Sequence, residues 1–272
     1  MLYHELVQQV FTKKSYLCVG LDTDITKLPK HLVSSPDAVL TFNKAIIDAT
    51  KEFCVSYKVN TAFYEALGAE GWEIMQATFD YIPATHLKIA DAKRGDIGNT
   101  SHQYARAFFE KMNVDAITVA PYMGEDSVRP FLEYEGKWTI VLGLTSNMGS
   151  GDFQRLPVNE GGEELYEFVL ETVAGWGTPG NLMFVTGATR ADAFSRIRQI
   201  VPGNFLLVPG VGAQGGSLKD VSEYGMNPNC GLLVNASRAV IYASGKEDFA
   251  IEAGKVAKAY AEEMSGYLPL KS

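Results

Sequence analysis

The sequence predicts an α/β fold of the (β/α)8 barrel type, the TIM barrel, as a single domain over residues 1–272. Eight short apolar runs rich in β-branched residues recur along the chain, with helix-length segments between them. Near-continuous apolar strands are typical of a parallel sheet that helices cover on both faces. No Pro/Ser-rich linker or break in composition divides the sequence. Eight strand-then-helix units favour the closed barrel over its alternative, a doubly wound open sheet.

The predicted strands are short, and each is bounded by polar or turn-forming residues. They cover residues 16–21, 54–59, 87–90, 116–120, 139–144, 182–186, 205–208 and 232–234. A helix begins at Ser35-Pro36, where proline suits a first turn, and has Val39, Phe42 and Ile46 at roughly helical spacing. Further helices are predicted over 64–81, 101–112, 126–133, 163–173, 191–200, 217–224 and 249–268. The loop over 147–162 is long for a compact barrel, so both a mobile lid and a plain surface loop stay open.

Composition excludes several classes of protein. The net charge of -8 and pI of about 5.1, without any Lys/Arg run, argue against nucleic-acid binding. The four histidines have no metal-ligand spacing, and no run of about 18 apolar residues indicates a membrane span. The three cysteines lie beside apolar residues, and residues 1–10 lack the apolar core of a signal peptide. A reducing compartment is therefore predicted, with the cytoplasm as the location.

A charged cluster follows the third predicted strand. Asp91, Lys93 and Asp96 lie within six positions, and Gly95 and Gly98 predict a turn. Because side chains alternate along an extended chain, Asp91 and Lys93 point the same way, and the turn can bring Asp96 back toward them. Negative neighbours favour a protonated lysine, so we expect Lys93 to be a fixed cation and proton donor, not a Schiff-base nucleophile. The simpler alternative is a solvated ion pair worth ~0–1 kcal/mol.

Ionisable or hydroxyl-bearing side chains also stand where other predicted strands end. In this type of barrel the carboxyl ends of the strands line the active site. Any one such residue alone is most simply a hydrophilic loop residue, but that explanation weakens when so many strand ends share the property. The residues expected to converge on one mouth are Asp22, Lys58, Asp91, Lys93, Thr145 or Ser146, and Arg238.

Two segments near the C-terminus predict a phosphate site. Pro209-Gly210 opens a Gly-rich stretch after strand seven, and Ser237-Arg238 follows strand eight. Phosphate sites in these barrels often use these two loops, with backbone N–H groups and a helix N-terminus. Arg238 adds charge-assisted hydrogen bonds, and Gln214 adds a further donor. The alternatives are a Gly-rich turn with a surface arginine, and a dinucleotide site of the GxGxxG type, which the late position of the motif disfavours.

Together these motifs resemble the orotidine 5′-phosphate decarboxylase family. The match lies in the signature Asp91-x-Lys93-x-x-Asp96-Ile97. It extends in the family's order to Gly-Leu-Asp at 20–22, Tyr-Lys-Val at 57–59, Leu-Thr-Ser at 144–146, Pro-Gly at 209–210 and Ser-Arg at 237–238. The resemblance spans nearly the whole chain. Its length, the segment at 209–215 and the Asn-Ala-Ser-Arg ending are similar to the longer bacterial subgroup, type 2.

The resemblance implies conversion of orotidine 5′-phosphate to UMP and CO2 in de novo pyrimidine biosynthesis, without metal or organic cofactor. It implies that Lys93 protonates C6 of the pyrimidine, that Asp91 lies beside the departing carboxylate, and that Asp96 comes from the partner subunit of a homodimer. The resemblance also implies that Asp22 and Lys58 hold the ribose hydroxyls and extend the charged array, and that Ser146 or Thr145 bonds the pyrimidine. Pro209, Gln214 and Arg238 are implied at the phosphate, and Gly210 and Ser237 are implied to bind the substrate. The loop after Pro209 is shorter than in the better-known subgroup, whose phosphate-contacting glutamine lies further along.

Two alternatives from different classes remain. A phosphosugar decarboxylase or aldolase of the same superfamily shares the Asp-x-Lys-x-x-Asp pattern but uses a magnesium-stabilised enediolate, so a chelator separates the two enzymes. A non-catalytic nucleotide-binding barrel is the other, and the intact set of Asp91, Lys93 and Asp96 argues against it.

Overall fold

A computed structural model describes residues 1–35, 37–188, 191–211 and 216–269 of the chain. Its strands are β1 (Leu17–Gly20), β2 (Ser56–Asn60), β3 (Leu87–Arg94), β4 (Ala116–Val119), β5 (Trp138–Leu144), β6 (Leu182–Thr186), β7 (Leu206–Pro209) and β8 (Leu232–Ala236). All pair in parallel with their neighbours in chain order, and β8 pairs with β1 to close the barrel. The (β/α)8 barrel prediction is confirmed.

Helices cover the outside of the barrel and one of its ends. The α-helices are α1 (Tyr3–Lys13), α2 (Ala38–Thr50), α3 (Thr61–Glu65), α4 (Ala69–Tyr81), α5 (Gly98–Arg106), α6 (Glu125–Leu132), α7 (Ser150–Phe153), α8 (Leu165–Ala174), α9 (Ala191–Ile200), α10 (Leu218–Gly225), α11 (Arg238–Ile241) and α12 (Phe249–Ser265). Every residue of β1, β4, β6 and β8 is buried, because the barrel interior takes one face of each strand and the helices take the other. Among the described helices, none is long and apolar enough to cross a membrane.

Helix α1, which the sequence analysis did not predict, lies at the amino ends of the strands. The Tyr3 ring packs against Trp138 and Phe205, with ring centroids 6.2 and 5.5 Å apart. The indole N–H of Trp138 donates to the Met1 carbonyl at 2.8 Å. Because this helix occupies the amino ends of the strands, the opposite mouth is left for a ligand.

The predicted helix over 64–81 is two helices. Gly68, between α3 and α4, has a φ of +69°, a left-handed conformation that interrupts a helix and favours glycine. Gly71 then passes so close to α3 that a Cβ there would lie 1.8 Å from the Tyr64 carbonyl oxygen. The continuous apolar periodicity concealed this corner because both helices bury residues against the same barrel.

The segment after the third predicted strand also differs from expectation. Strand β3 continues to Arg94, so Asp91 and Lys93 lie within the strand and not beyond its end. Helix α5 begins at Gly98 without a side-chain cap, so the predicted start of the helix at residue 101 is wrong. The Ser101 hydroxyl oxygen instead lies within hydrogen-bond distance of two carbonyl oxygens, 2.5 Å from that of Asp96 and 2.9 Å from that of Ser127. These bonds fasten the turn after β3 to α6.

Candidate active site

A cavity of about 340 Å³ opens at the carboxyl ends of the strands. Ten of the predicted site residues line it, namely Asp22, Lys58, Asp91, Lys93, Thr145, Ser146, Pro209, Gly210, Ser237 and Arg238. Two do not join them: Asp96 is not among the lining residues, and Gln214 lies outside the described residues. The structure therefore brings most of the predicted set to one mouth.

The sequence analysis missed several other lining residues. The polar ones are Asn60, Asn147 and Asn235, and the apolar ones are Leu142, Val185, Leu207, Val211, Ala236 and Ala239. The side chain of Asn235 is buried, and its Oδ1 has no hydrogen-bond partner among the described residues. Its position at the end of β8 was available from the sequence. The apolar residues carried no signal, because nothing distinguishes them from core residues before the barrel is closed.

The charged end of the cavity is a row of alternating signs. Lys58 Nζ lies 3.3 Å from an oxygen of Asp22 and 2.9 Å from Oδ2 of Asp91. Lys93 Nζ lies 2.6 Å from Oδ1 of the same Asp91. The Lys58 side chain is 5% exposed and that of Lys93 is 49% exposed. Lys58 is thus the inner cation of the row, and Lys93 is the one that reaches the open mouth.

The two inner members of the row, Lys58 and Asp91, hold each other in their charged forms. Burial alone would lower the pKa of Lys58, but Asp22 and Asp91 outweigh it and hold the pKa of this ammonium well above its usual range. Burial alone would raise the pKa of Asp91, but Lys58 and Lys93 outweigh it and hold the pKa of this carboxyl well below its usual range. At neutral pH Lys58 and Asp91 are therefore both charged.

The backbone at Lys93 has an uncommon conformation. Its φ is +48°, in the left-handed region that few non-glycine residues adopt, and the pairing of β3 with β4 shifts register between Ala90 and Arg94. The neighbouring Arg94 is anchored by an ion pair with Glu65 and by cation–π contact with Tyr104, 5.5 Å from the ring centroid. The irregular end of β3 is therefore fixed from the outside of the barrel while Lys93 points into the mouth.

Asp96 does not turn back to the cavity within one chain. Its Oδ1 accepts a hydrogen bond from the N–H of Ile97 at 2.8 Å, and its backbone bonds to Ser101. Among the described residues, the ion pair of Lys93 is with Asp91. The expected return of Asp96 toward Lys93 is therefore not seen inside the single chain.

Thr145 and Ser146 form a polar wall after β5. The Thr145 backbone N–H donates to Oε1 of Gln154 at 2.8 Å, and the Thr145 hydroxyl bonds to Asn147 at 2.6 Å and to Gln154. A Cβ on Gly187 would lie 2.7 Å from Cβ of Ser146, so only glycine allows this close approach. The loop over 147–162 contains α7, and its Gln154 side chain bonds to Thr145, just before the loop begins. The sequence analysis did not predict this short helix.

The loops after β7 and β8 also contribute to the cavity. Arg238, after β8, is exposed and lines the cavity, and no carboxylate of the described residues lies within ion-pair distance of it. Gly210, with a φ of +95°, follows β7 and lines the same cavity. A Cβ on Gly20 would lie 1.9 Å from Oγ of Ser237, so only glycine at this position lets β1 lie this close to the loop after β8. A guanidinium without an anionic partner beside open backbone suits a phosphate.

The described part of the chain has no group of three or more His, Cys, Asp or Glu side chains arranged to hold a metal ion. The cavity thus offers two cations and two carboxylates in a row, a hydroxyl-bearing wall, and one unpaired guanidinium. Such a set fits a small ligand that carries more than one negative charge and polar ring atoms.

Comparisons with known proteins give a consistent result. A model of the orotidine 5′-phosphate decarboxylase / HUMPS family matches residues 15–253. Proteins named orotidine 5′-phosphate decarboxylase include that of Phocaeicola vulgatus, 56% identical with 96% of both chains covered. That of Christiangramia forsetii is 56% identical, with 98% of this chain and 99% of the other covered. The solved structure of Leishmania donovani OMP decarboxylase superimposes with a TM-score of 0.84 at 36% identity and covers 98% of each chain.

Proposed function

The chain belongs to the orotidine 5′-phosphate decarboxylase / HUMPS family, and from that premise we propose that its cavity converts orotidine 5′-phosphate to UMP and CO2. One observation carries the proposal. The ion row of Asp22, Lys58, Asp91 and Lys93 lines the same cavity as the unpaired Arg238. A substrate that carries both a carboxylate on its ring and a phosphate matches a cavity that holds both of these charged features.

Lys93 is the proton donor in this proposal. When the bond from C6 to the carboxylate breaks, the electron pair stays on C6 as a vinyl carbanion with no good electron sink. A proton then passes from Nζ of Lys93 to C6, and water restores the ammonium. At ~4 Å and an effective dielectric constant near 20, one ammonium–carbanion pair contributes about 4 kcal/mol. Because this charge exists only as CO2 leaves, the attraction lowers the barrier more than it strengthens substrate binding.

Asp91 and Lys58 set the field around that proton donor. Asp91 accepts from Lys93 at 2.6 Å and would lie beside the substrate carboxylate, where like charges repel until CO2 has gone. Lys58 bonds to Asp22 and Asp91. We assign Lys58 and Asp22 to the ribose hydroxyls, where they fix the position of the ring relative to Lys93.

The hydroxyl wall is assigned to the pyrimidine. The Thr145 hydroxyl bonds to Asn147 and Gln154, and both Thr145 and Ser146 line the cavity. From the resemblance to the family we assign the ring contact to Ser146, with Thr145 as the alternative.

The phosphate is assigned to the part of the cavity formed by the loops after β7 and β8. Arg238 supplies charge, while Pro209, Gly210 and Ser237 supply the surrounding wall. Gln214 stays a proposed phosphate contact by resemblance alone.

We further propose that the enzyme acts as a homodimer in which Asp96 reaches the partner's cavity. The position of Asp96 outside its own cavity supports this proposal. Mixing Lys93→Ala and Asp96→Ala proteins tests it, because each mixed dimer keeps one intact site. A 1:1 mixture should recover about a quarter of wild-type activity after subunit exchange, given random pairing of symmetric subunits. Mixtures that stay inactive although exchange is demonstrated by mass would contradict it.

We also propose that the protein works in pyrimidine biosynthesis in the cytoplasm. Its three cysteines, Cys18, Cys54 and Cys230, are free and buried, which suits a reducing compartment. Cell fractionation with an antibody against the chain tests the location.

An absorbance assay with orotidine 5′-phosphate tests the activity itself. Turnover that is the same with and without EDTA supports the cofactor-free decarboxylase. Turnover that disappears under chelation would favour the magnesium-dependent branch of the family. UMP binding with no turnover would favour a non-catalytic nucleotide-binding barrel.

A further inference from the structure

Thr118 is a buried polar residue in the middle of β4, and its hydroxyl contacts two residues of the ion row. Its Oγ1 lies 2.9 Å from the backbone nitrogen of Lys93 and 3.0 Å from Oδ1 of Asp91. The side chain is fully buried, and Thr118 is not among the residues that line the cavity. Thr118 therefore contacts the ion row without forming part of the cavity surface.

The chemistry of the three groups fixes the direction of both bonds. An ionised carboxylate only accepts, so the Thr118 hydroxyl donates its one proton to Asp91. The backbone N–H of Lys93 only donates, so Thr118 accepts it through a lone pair. The two bonds are therefore compatible, since one uses the proton of the hydroxyl and the other uses a lone pair. The Thr118 oxygen thus links the backbone of Lys93 to the Asp91 carboxylate, which the Lys93 ammonium also contacts.

This junction lies where β3 is irregular. Lys93 has a φ of +48°, and the register with β4 shifts between Ala90 and Arg94. A left-handed non-glycine residue persists only when its surroundings hold it there. The N–H of Lys93 is held by Thr118, and Oδ1 of Asp91 receives both Lys93 Nζ and Thr118 Oγ1. Neither the backbone nor the carboxylate can rotate without breaking a bond to this hydroxyl.

We propose that Thr118 is a positioning residue for the decarboxylation, holding Asp91 and the backbone of Lys93 so that the ammonium faces C6. This inference rests on the proposed function, because the position of Lys93 affects the rate only if Lys93 is the proton donor. The group acts through Lys93 and Asp91 and does not touch the substrate. Its loss should lower the rate of the chemical step and leave ligand binding nearly unchanged.

Two other buried threonines of the sheet provide a contrast. Thr139 in β5 and Thr186 in β6 are also fully buried, yet their hydroxyls have no hydrogen-bond partner among the described residues. A buried threonine in this sheet therefore does not need a side-chain bond to be accommodated. The two bonds made by Thr118 are specific to its place opposite Asp91 and Lys93.

The test compares Thr118→Val, which keeps the shape without the hydroxyl, with Thr118→Ser, which keeps the hydroxyl. Since misplacing a reacting group by about an ångström can cost about 100-fold in rate, Thr118→Val should lower kcat roughly 10- to 100-fold. KM and the Kd for UMP should stay within about threefold, because the lining residues are untouched. Thr118→Ser should restore kcat to within about threefold of wild type.

The matched control is Thr139→Val, the same change at an equally buried threonine that loses no hydrogen bond. It should keep kcat near wild type. Equal kcat in Thr118→Val and wild type, equal losses in the Thr118→Val and Thr139→Val proteins, or a rise in KM as large as the fall in kcat would overturn the inference. If Thr118→Val does not fold, Thr118→Ala is measured against the same criteria. Wild-type protein without turnover would instead count against the proposed function.

Discussion

At the scale of single residues, Lys58 and Lys93 both contact the Asp91 carboxylate, and their different burial gives them different roles. Lys58 is enclosed between Asp22 and Asp91, whereas Lys93 reaches solvent at the mouth. Removing one partner of a buried ion pair leaves an uncompensated charge, while a half-exposed pair contributes little. The inner lysine therefore stabilises the fold, and the outer lysine is free to serve the reaction.

The first prediction compares these two lysines in stability. Lys58→Met should lower the free energy of unfolding at pH 7 by about 3 kcal/mol, and Lys93→Met by about 1 kcal/mol or less. Urea denaturation followed by circular dichroism measures both. The control is Lys27→Met, which removes an exposed pair with Asp24 at 3.8 Å and should change stability little. Equal losses for Lys58→Met and Lys93→Met would show that burial does not separate them.

The second prediction separates chemistry from binding. Lys93→Ala should lower kcat by at least about 1,000-fold, the equivalent of the ~4 kcal/mol assigned to its charge, with the Kd for UMP nearly unchanged. Arg238→Ala should weaken UMP binding about 100-fold, because it removes the charged partner of the phosphate. Calorimetry with UMP and with uridine measures this. Uridine lacks the phosphate, so its binding should be insensitive to Arg238→Ala, and equal loss of UMP binding in both variants would refute the assignment.

The sequence indicated which residues of the site carry charge but not how they are joined. Asp91, Lys93 and Arg238 follow predicted strands in the sequence, and that position alone suggested one mouth. The bonds of Thr118 depend on the register shift between β3 and β4, and no local pattern encodes a shift that arises from pairing two distant strands. The placement of Asp96 outside its own cavity likewise depends on the path of the turn after Arg94.

At the scale of elements, the amino end of β3 is held by a buried histidine beside a lysine. Nε2 of His86 lies 2.9 Å from Nζ of Lys13 at the end of α1 and 2.8 Å from the carbonyl oxygen of Lys51. Burial, and then the charge of Lys13, lower the pKa of His86 to about 4, while the hydrogen bond to the Lys51 carbonyl and then the charge of Glu52 oppose this. His86 is therefore neutral in the folded protein at neutral pH.

The third prediction is a loss of stability in mild acid that depends on His86. Its folded pKa of about 4 lies below the ordinary histidine pKa of 6.5. The unfolded chain thus binds the proton first, and stability is lost as pH falls from about 6.5 toward 4. Between pH 7 and pH 4.5 this amounts to about 2 kcal/mol. Urea denaturation across this range should give a flatter curve for His86→Gln than for wild type.

The exposed His4 supplies the control for that experiment. His4→Gln should keep the wild-type dependence on pH, because its ring is not enclosed beside a cation. Parallel curves for wild type, His4→Gln and His86→Gln would place the acid sensitivity elsewhere in the chain.

The strands were predictable because burial on both faces makes them continuous apolar runs, as in β1 and β6. The corner between α3 and α4 was not, because it depends on the left-handed Gly68 and on how closely Gly71 approaches Tyr64. Helix α1 was missed because it precedes the first strand, and the strand-then-helix repeat does not predict a helix there. Pattern thus predicts the repeating units, while terminal elements and corners depend on packing.

At the scale of the whole molecule, closure of the barrel links its first and last strands. Leu17 and Cys18 pair with Val234 and Asn235, so β1 completes the sheet only when β8 is in place. The cavity spans the same closure, with Asp22 after β1 and Arg238 after β8. Binding and folding should therefore be coupled across the full length of the chain.

The fourth prediction is a single cooperative unfolding transition for the whole chain, as expected for one domain. A ligand that binds only the folded state, at about 100 times its Kd, raises the free energy of unfolding by about 2.7 kcal/mol. UMP should therefore shift the far-UV and near-UV circular dichroism transitions together, because residues at both ends of the sheet line its site. Arg238→Ala should abolish most of this shift at the same UMP concentration. Two separate transitions, with only one of them moved by UMP, would mean that the barrel is not one folding unit.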